Sequence, residues 1–306
     1  MQNRLIPNTS LSVSPICLGT MTFGTPVGKA QAVELVHRAL GEGVNFIDTA
    51  NMYEGYARVL GSAGGVAEEF LGDALRDRRD RAVVATKVGH PIGPGDEDKG
   101  LSRAHVTREC DRSLVRLQTD YLDIYYMHAP YPGTPIEESI AAFIDLIEVG
   151  KVRHWGISNF DAEQTRGVLE ACDRSGWERP VVHQPPYSLL KPEAEVELMP
   201  LCASEGIGVV PYQVLQGGLL TGKYADSSAP PSDSRAAEKP EWIPLLQDQS
   251  VRRKVAALQA EADDRGLSLF DHVIRETVHK PAVTSIIVGV KRPQQLGAAV
   301  RALEPY

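Results

Sequence analysis

Residues 44–53 read Val-Asn-Phe-Ile-Asp-Thr-Ala-Asn-Met-Tyr, an apolar run of β type that stops in a polar turn. Val44, Phe46 and Ile47 make the run, Asp48 stands where it ends, and Tyr53 follows five residues later. That is the pattern of a buried strand delivering side chains at its C-terminal end. A carboxylate in such a place is costly unless something pairs with it. Two questions follow for the rest of the chain: what pairs with Asp48, and what Tyr53 faces.

Outward from this stretch, short β-like runs alternate with longer amphipathic segments in both directions. A strand over 16–21 and a helix over 29–40, with apolar Ala32, Val33, Leu35, Val36 and Leu40, precede the strand over 44–50. After it come a helix over 66–75, a strand over 82–87 ending in Lys, a Ser-initiated helix over 102–117 and a strand over 122–128 ending in His. The helix over 136–149 has Pro135 before it and Gly150 past its end. The second half repeats the beat with strands over 155–159, 181–184, 207–213 and 284–290. Its helices are one capped by Asp161 and running to Cys172, then 193–204, 251–265, 268–278 and 293–303.

Eight strand-then-helix units without a break in composition predict an α/β fold, a (β/α)8 TIM barrel forming a single domain over residues 1–306. A doubly wound dinucleotide-binding sheet would want G-x-G-x-x-G after its first strand, and the nearest approaches, Gly41-x-Gly43 and Gly206-x-Gly208, lack the third glycine. Two stretches read as loops: glycine-rich 55–65, and 224–240, rich in Ser, Ala and Pro. The second is long enough for a mobile lid.

At 306 residues, 42% hydrophobic and 24% charged, the chain has the make-up of a soluble globular protein with ample core. A net charge of −8 argues against nucleic acid or an anionic membrane as the main partner, leaving room for a local basic pocket. Cys17, Cys110, Cys172 and Cys202 are scattered without a C-x-x-C pair and read as reduced thiols. The N-terminus lacks an apolar signal core and no run approaches about 18 apolar residues, so a cytoplasmic protein is expected.

In a barrel the C-terminal ends of the strands converge on one mouth. The second, third and fourth strands end in Asp48, Lys87 and His128, and the loop after the second supplies Tyr53. Singly, each has an ordinary structural explanation; four from adjacent units make a proton donor. A phenol with an ordinary pKa near about 10 holds its proton at neutral pH. A neighbouring ammonium stabilises the phenolate, and Asp48 compensates the burial of Lys87. A neutral His128 can orient a substrate oxygen. Such a site suits protonation of a carbonyl oxygen while hydride reaches its carbon, which requires a nicotinamide cofactor.

With these residues on view, the chain resembles the aldo-keto reductases, in a bacterial-type branch like the potassium-channel β-subunits. The resemblance runs from about residue 16 to 296. It rests on Gly-Thr-Met-Thr-Phe-Gly at 19–24, Asn-Phe-Ile-Asp-Thr-Ala at 45–50 with Tyr53, and Ala-Thr-Lys at 85–87. Tyr-Leu-Asp-Ile-Tyr-Tyr-Met-His at 121–128, Gly-Lys-Val-Arg-His-Trp-Gly-Ile-Ser-Asn-Phe at 150–160 and Gly-Gly-Leu-Leu-Thr-Gly-Lys-Tyr at 217–224 continue it. The resemblance implies NADPH-dependent reduction of a small aldehyde or ketone, with Tyr53 as acid, Lys87 and Asp48 tuning it, and His128 orienting the carbonyl. Thr20, Met21 and Asp48 would approach the cofactor's inner half. Ser158, Asn159 and Gln184 would hold its carboxamide, and Tyr212 would stack on its ring. The backbone of 213–218, with Gln213, Leu215, Gly217 and Gly218, would wrap the pyrophosphate, and Gly289, Lys291 and Gln295 would face the adenosine end. There a lysine can pair a 2′-phosphate.

The departures are informative. After Tyr212 the family often has Ser-Pro-Leu, where this chain has Gln213-Val214-Leu215. Ala129-Pro130-Tyr131 replaces a frequent Pro-Asp after the histidine, and Ala298 and Ala299 stand where an acidic residue and Asn are common. The segment 61–65 is longer than the common loop and reads as part of a distinctive substrate mouth. Two further readings of the same fold stay open: a cofactor-binding sensor or partner subunit with negligible turnover, and a keto-sugar reductase of secondary metabolism. The family is often monomeric; a monomer or a small homo-oligomer is expected.

Other motifs are weaker. Gly217-(x)4-Gly222-Lys223 has the outline of a P-loop, but Tyr224 replaces the required Ser or Thr. No two histidines sit at ligand spacing, so no metal is expected, and most, such as His37 and His279, read as surface or boundary groups. Of the adjacent Tyr125 and Tyr126, one is expected in the core; Arg76–Asp77–Arg78–Arg79–Asp80–Arg81 reads as a solvated turn. Trp155 reads as core, and Trp242, beside the lid, as a candidate substrate contact.

Overall fold

Eight parallel strands follow one another around a curled sheet in chain order: β1 (Ile16–Gly19), β2 (Phe46–Asp48), β3 (Val83–Val88), β4 (Leu122–Met127), β5 (Val152–Ser158), β6 (Val182–Gln184), β7 (Gly208–Val209) and β8 (Ile286–Gly289). The structure is a computed structural model that describes residues 1–224 and 230–304. Closure brings β8 back beside β1, with Gly289 opposite Gly19. Hydrogen bonds of 2.8–2.9 Å, from Val209 N to Ala282 O, Thr284 N to Val209 O and Ile287 N to Pro211 O, join the β7 and β8 regions. The chain is thus the (β/α)8 barrel that the alternation predicts.

Helices α1 (Lys29–Gly41), α2 (Val66–Leu75), α3 (Arg103–Leu117), α4 (Ile136–Glu148), α5 (Ala162–Ser175) and α6 (Leu198–Glu205) follow the first six strands. Their starts have physical causes: Ser102 accepts the His105 N–H, and Asp161 forms a reciprocal capping box with Gln164. A short helix α7 (Arg235–Glu238) then precedes α8 (Gln249–Asp264) and α9 (Leu269–Val278), and α10 (Pro293–Arg301) follows β8.

The barrel's two faces are both buried, as parallel strands require. Outside, Leu18, Ile47, Val84, Tyr125 and Ile157 pack against the helices. Inside, Cys17, Phe46, Ala85, Ile124, Tyr126, Val182, Val210 and Ile287 fill the lumen, with Ile6, Leu11 and Val13 of the N-terminal hairpin in the same cluster. Because of this two-sided burial, Tyr125 and Tyr126 are both core, not one of the pair: Tyr125 leans on Phe143 outside and Tyr126 lies within. Trp155 is buried as expected.

Three local expectations change. The 193–204 segment divides into a 3-10 turn (Glu193–Glu195) and α6. Arg79 does not merely face solvent: it donates to Asp123 Oδ2 at 2.7 Å and to the Ala82 carbonyl, anchoring the start of β3. His37 and His279 are exposed, yet His105, His128, His183 and His272 are buried, because helices and strands here are covered on their inner faces. The four cysteines are free and buried. Among the described residues no helix is long and apolar enough to cross a membrane.

Candidate active site

Asp48 is the last residue of β2, Lys87 the penultimate residue of β3, and His128 the residue after β4, so three adjacent strands put them at one end of the barrel. Lys87 Nζ donates to Asp48 Oδ1 at 2.5 Å and to the Thr49 carbonyl at 2.8 Å, which answers the first question raised by the sequence. Tyr53 Oη lies 3.4 Å from Lys87 Nζ, and the Tyr53 and His128 rings meet edge-on with centroids 6.0 Å apart. Lys87 is fully buried and Asp48 nearly so, a position an ammonium and a carboxylate tolerate only as a hydrogen-bonded pair.

The electrostatics follow from that burial. Burial pushes the Asp48 carboxyl up, opposed by Lys87 and by hydrogen bonds from Lys87 and Gln184. For Lys87 burial works downward, but the charges and hydrogen bonds of Asp48 and Tyr53 outweigh it, and its pKa is raised. Burial also raises Tyr53, with Lys87 pulling the other way. The phenol is therefore protonated through the neutral range, as a proton donor must be. Burial first, then Lys87, His90 and Arg58, hold His128 well below its ordinary value, so its ring is neutral.

A cavity of about 670 Å³ opens over this cluster, within the range of small-molecule and cofactor sites. Every cofactor-binding residue expected from the sequence lines it: Thr20, Met21, Asp48, Ser158, Asn159, Gln184, Tyr212, Gln213, Leu215, Gly217, Gly218, Gly289, Lys291 and Gln295. Tyr53 and His128 line it too, while Lys87 lies beneath, reached through its partners. The polar residues are wired together. Asp48 Oδ2 accepts from Gln184 Nε2 at 2.8 Å, and Ser158 Oγ donates to the Gln184 carbonyl at 2.8 Å. Asn159 Nδ2 donates to the His128 carbonyl at 2.7 Å and Asn159 Oδ1 accepts from Tyr212 Oη at 2.6 Å. Asn159 sits at φ 64° to do so. One carboxylate thus holds the lysine with one oxygen and the amide ring with the other.

The far end of the cavity is looser. Gly217 and Gly218 adopt φ 64° and 102°, a left-handed turn that presents backbone to the cavity, and a Cβ on Gly218 would meet Lys223 Cε at 2.6 Å. Lys291 Nζ is held by the Glu238 carboxylate and the Asp233 carbonyl, and Arg292 pairs with Asp233. Of the expected lid over 224–240, residues 225–229 lie outside the described residues. The part from 230 folds over the cavity, where Asp233 and Arg235 line it and Arg235 Nε donates to Tyr56 Oη at 3.1 Å. Trp242 packs edge-on against Tyr56, 43% exposed, on the rim and not among the lining residues.

Sequence reading missed Met52, Tyr56, His90, Arg235 and Phe270 as lining residues, and took Lys223 only as part of a P-loop outline. His90 is the most telling: its ring stacks edge-on against His128 at 4.3 Å. Its position three residues past Lys87, just beyond the end of the same strand, is the signal that could have found it. The Gly217–Lys223 stretch is no P-loop, since it forms a 3-10 turn (Gln216–Thr221) and not a strand–loop–helix. Among the described residues no cluster could hold a metal ion.

Comparison with known proteins agrees with the geometry. The Aldo/keto reductase family profile matches residues 15–305. The chain is 36% identical over 313 residues to a probable voltage-gated potassium channel subunit beta of Arabidopsis thaliana, covering 99% of this chain and 92% of that protein. It is 33% identical over 312 residues to the uncharacterized oxidoreductase YrpG of Bacillus subtilis (99% and 91% covered). To the L-glyceraldehyde 3-phosphate reductase of Escherichia coli K12 it is 30% identical over 314 residues (99% and 88% covered).

Proposed function

The chain belongs to the aldo/keto reductase family and is an NAD(P)H-dependent oxidoreductase acting on carbonyl groups; on that premise we propose that it reduces a small aldehyde or ketone with NADPH, Tyr53 acting as general acid. The observation that carries the reading is the convergence of Tyr53, Lys87, Asp48 and His128 beneath a cavity whose other wall is the Asn159–Ser158–Gln184 ring.

The cavity fits a dinucleotide by its own features: a hydrogen-bonding ring beside the buried lysine, a left-handed glycine turn, and cationic Lys223 and Lys291 at the far end. When bound, the cofactor supplies hydride to the carbonyl carbon. The protein does the rest. Ser158, Asn159 and Gln184 would hold the carboxamide, Tyr212 would cover the ring, Thr20 and Met21 would flank the inner half, and the 213–218 backbone would follow the pyrophosphate. Gly289 and Gln295 would face the adenosine, with Lys291 on the 2′-phosphate. His128, neutral, hydrogen-bonds the carbonyl oxygen and fixes its direction. The Tyr53 hydroxyl gives its proton to that oxygen as the carbon–oxygen double bond becomes single, and Lys87 stabilises the phenolate left behind. Asp48 keeps Lys87 charged for this purpose.

The test is NADPH oxidation with 4-nitrobenzaldehyde, wild type beside Tyr53→Phe. The variant keeps the ring and loses the proton, so turnover falls by about 10²-fold or more while NADPH still binds; equal turnover removes Tyr53 from the role. A second reading, a cofactor-binding partner subunit, is supported by the similarity to the probable potassium channel beta subunit of Arabidopsis thaliana. It predicts NADPH binding, negligible multiple turnover and a stable assembly with another protein.

A further inference from the structure

Behind the strand that carries Lys87 lies a second set of charged groups that the reaction does not touch. Along β3, Ala85 packs inside the barrel and Val84 and Val88 outside, so Thr86 faces the helices. Its Oγ1 donates to Glu68 Oε1 at 2.6 Å, and Arg116 Nη1 donates to Glu68 Oε2 at 2.9 Å. On α3, Glu109 Oε1 accepts from Arg112 Nη1 at 2.8 Å and Oε2 from Asn51 Nδ2 at 3.3 Å. Glu68, Glu109, Thr86 and Asn51 have no exposure at all. Two fully buried carboxylates are poor stabilisers of a fold by themselves, since desolvation offsets their pairing. Glu68 ties β3 to α3, and Glu109 reaches the turn 49–53 from the rear through Asn51.

That turn carries Tyr53. Its front is fixed by Lys87 Nζ on the Thr49 carbonyl at 2.8 Å and its edge by the Asn51 N–H on the Lys87 carbonyl at 3.2 Å. Gly64, at φ 63°, presses on it so closely that a Cβ would lie 2.4 Å from the Asn51 carbonyl oxygen and 2.8 Å from Met52 Cα. The segment 61–65, read from the sequence as part of a substrate mouth, is not among the lining residues of the cavity, and it braces the turn from the side through Gly64. The Asn51 side chain ties the turn's centre to α3 through Glu109, and the Ala67 N–H of α2 holds its end by donating to the Tyr53 carbonyl at 3.0 Å. The Tyr53 hydroxyl stands 3.4 Å from Lys87 Nζ, at the outer edge of hydrogen bonding, where a few tenths of an ångström decide whether contact exists.

We propose that Asn51 and Glu109 are positioning residues for carbonyl reduction, holding the 49–53 turn so that the Tyr53 hydroxyl meets both Lys87 and the carbonyl oxygen. The inference rests on the reduction chemistry proposed above. Tyr53 is faced by Asp48 from β2, Lys87 from β3, His128 after β4 and Tyr212 after β7, with His90 beyond His128. A shift of the turn moves the phenol relative to all of these while they stay in place.

The test compares Asn51→Leu, Asn51→Ser, Glu109→Ala and Glu109→Gln with wild type and Tyr53→Phe. Turnover of 4-nitrobenzaldehyde is followed across pH, and NADPH affinity by fluorescence titration. Asn51→Leu and Glu109→Ala are expected to lose about tenfold in kcat, the scale of a modest misplacement, with NADPH affinity within about twofold. Their combination is no worse than either alone, because they break one contact. Glu109→Gln keeps an acceptor for Asn51 and recovers most of kcat. The alkaline limb of kcat moves upward in the impaired variants, since a phenol displaced from Lys87 loses its proton less readily. Unchanged kcat in Asn51→Leu and Asn51→Ser overturns the proposal, and so do equal losses in Glu109→Ala and Glu109→Gln. Either result, with Tyr53→Phe inactive, leaves the reduction reading intact. An active Tyr53→Phe overturns both.

Discussion

The two ends of the cavity are built to different standards. At the barrel mouth, Asp48, Lys87, Gln184, Ser158 and Asn159 form a continuous hydrogen-bonded chain within the strands and their ends, almost wholly out of water. At the adenosine end, Lys291 is bonded to Glu238 and Asp233, and Arg292 to Asp233, across a loop that reaches over from the β7 side. The first arrangement is preorganised: its charges are placed before any ligand arrives, as electrostatic catalysis needs. The second occupies Lys291, the cation proposed to meet the 2′-phosphate, so on that proposal binding exchanges one anionic partner for another. Chemistry lies on the rigid frame, and affinity on the part that can be rewired.

Breaking the rigid end should have the largest effect. Asp48→Asn leaves Lys87 buried without a counter-charge, which costs on the order of 3 kcal/mol or more and lowers the thermal midpoint. It also disconnects Gln184 and removes most carbonyl reduction. A variant with wild-type melting and turnover would mean that the pair is ornamental. Rewiring the other end should matter less and can go in both directions. Lys291→Ala weakens NADPH about tenfold, equivalent to about 1.4 kcal/mol, and NADH much less. Glu238→Gln frees the lysine and tightens NADPH a few-fold. Titration of both cofactors against both variants decides it, and equal effects on NADH would show that Lys291 does not read the 2′-phosphate. The smallest expected effect is a flat line. His128 is held well below 6.5 and Tyr53 above 10, so neither changes charge between those values. The kcat of reduction should be level across that window, fall above it as the phenol loses its proton, and fall below it only as His128 becomes charged. A bell with a limb near neutrality would place another titrating group in the reaction; burial, Arg58 and Lys87 hold His90 below its ordinary value, so it would not supply that limb.

The same contrast explains what could be read from the chain. Asp48, Lys87 and His128 were legible because a barrel converts position along the sequence into position in space: a polar residue at the end of an apolar run must face the mouth. The residues proposed to face the cofactor came with the family resemblance, and all of them line one cavity. Tyr56, Arg235 and Phe270 carried no such signal, since Tyr56 lies in a short 3-10 turn, Arg235 opens α7 and Phe270 sits in the first turn of α9, none of them at a strand end. The partner of Lys291 was hidden too: Glu238 lies 53 positions away, at the end of α7 in a stretch of mixed charge where any of several acids was an equal candidate. Tyr125 and Tyr126 were misjudged because alternation separates two faces without saying that both are covered. Arg79 was misjudged because a mixed-charge run looks the same whether or not one of its arginines has found a buried aspartate.

The carboxylate of Asp48, with one oxygen on Lys87 and the other on Gln184, has a practical corollary for anyone redesigning this protein. It makes the acid and the amide ring a single cassette, closed upon itself and indifferent to what is reduced. Other residues line the cavity, Met52, Tyr56 and His90 after β2 and β3 and Arg235 after β7, and selection among carbonyl compounds is expected to come from them. A library confined to Tyr56 and Arg235, outside the 49–53 turn, is therefore expected to change what enters while Tyr53 and Lys87 stay in place.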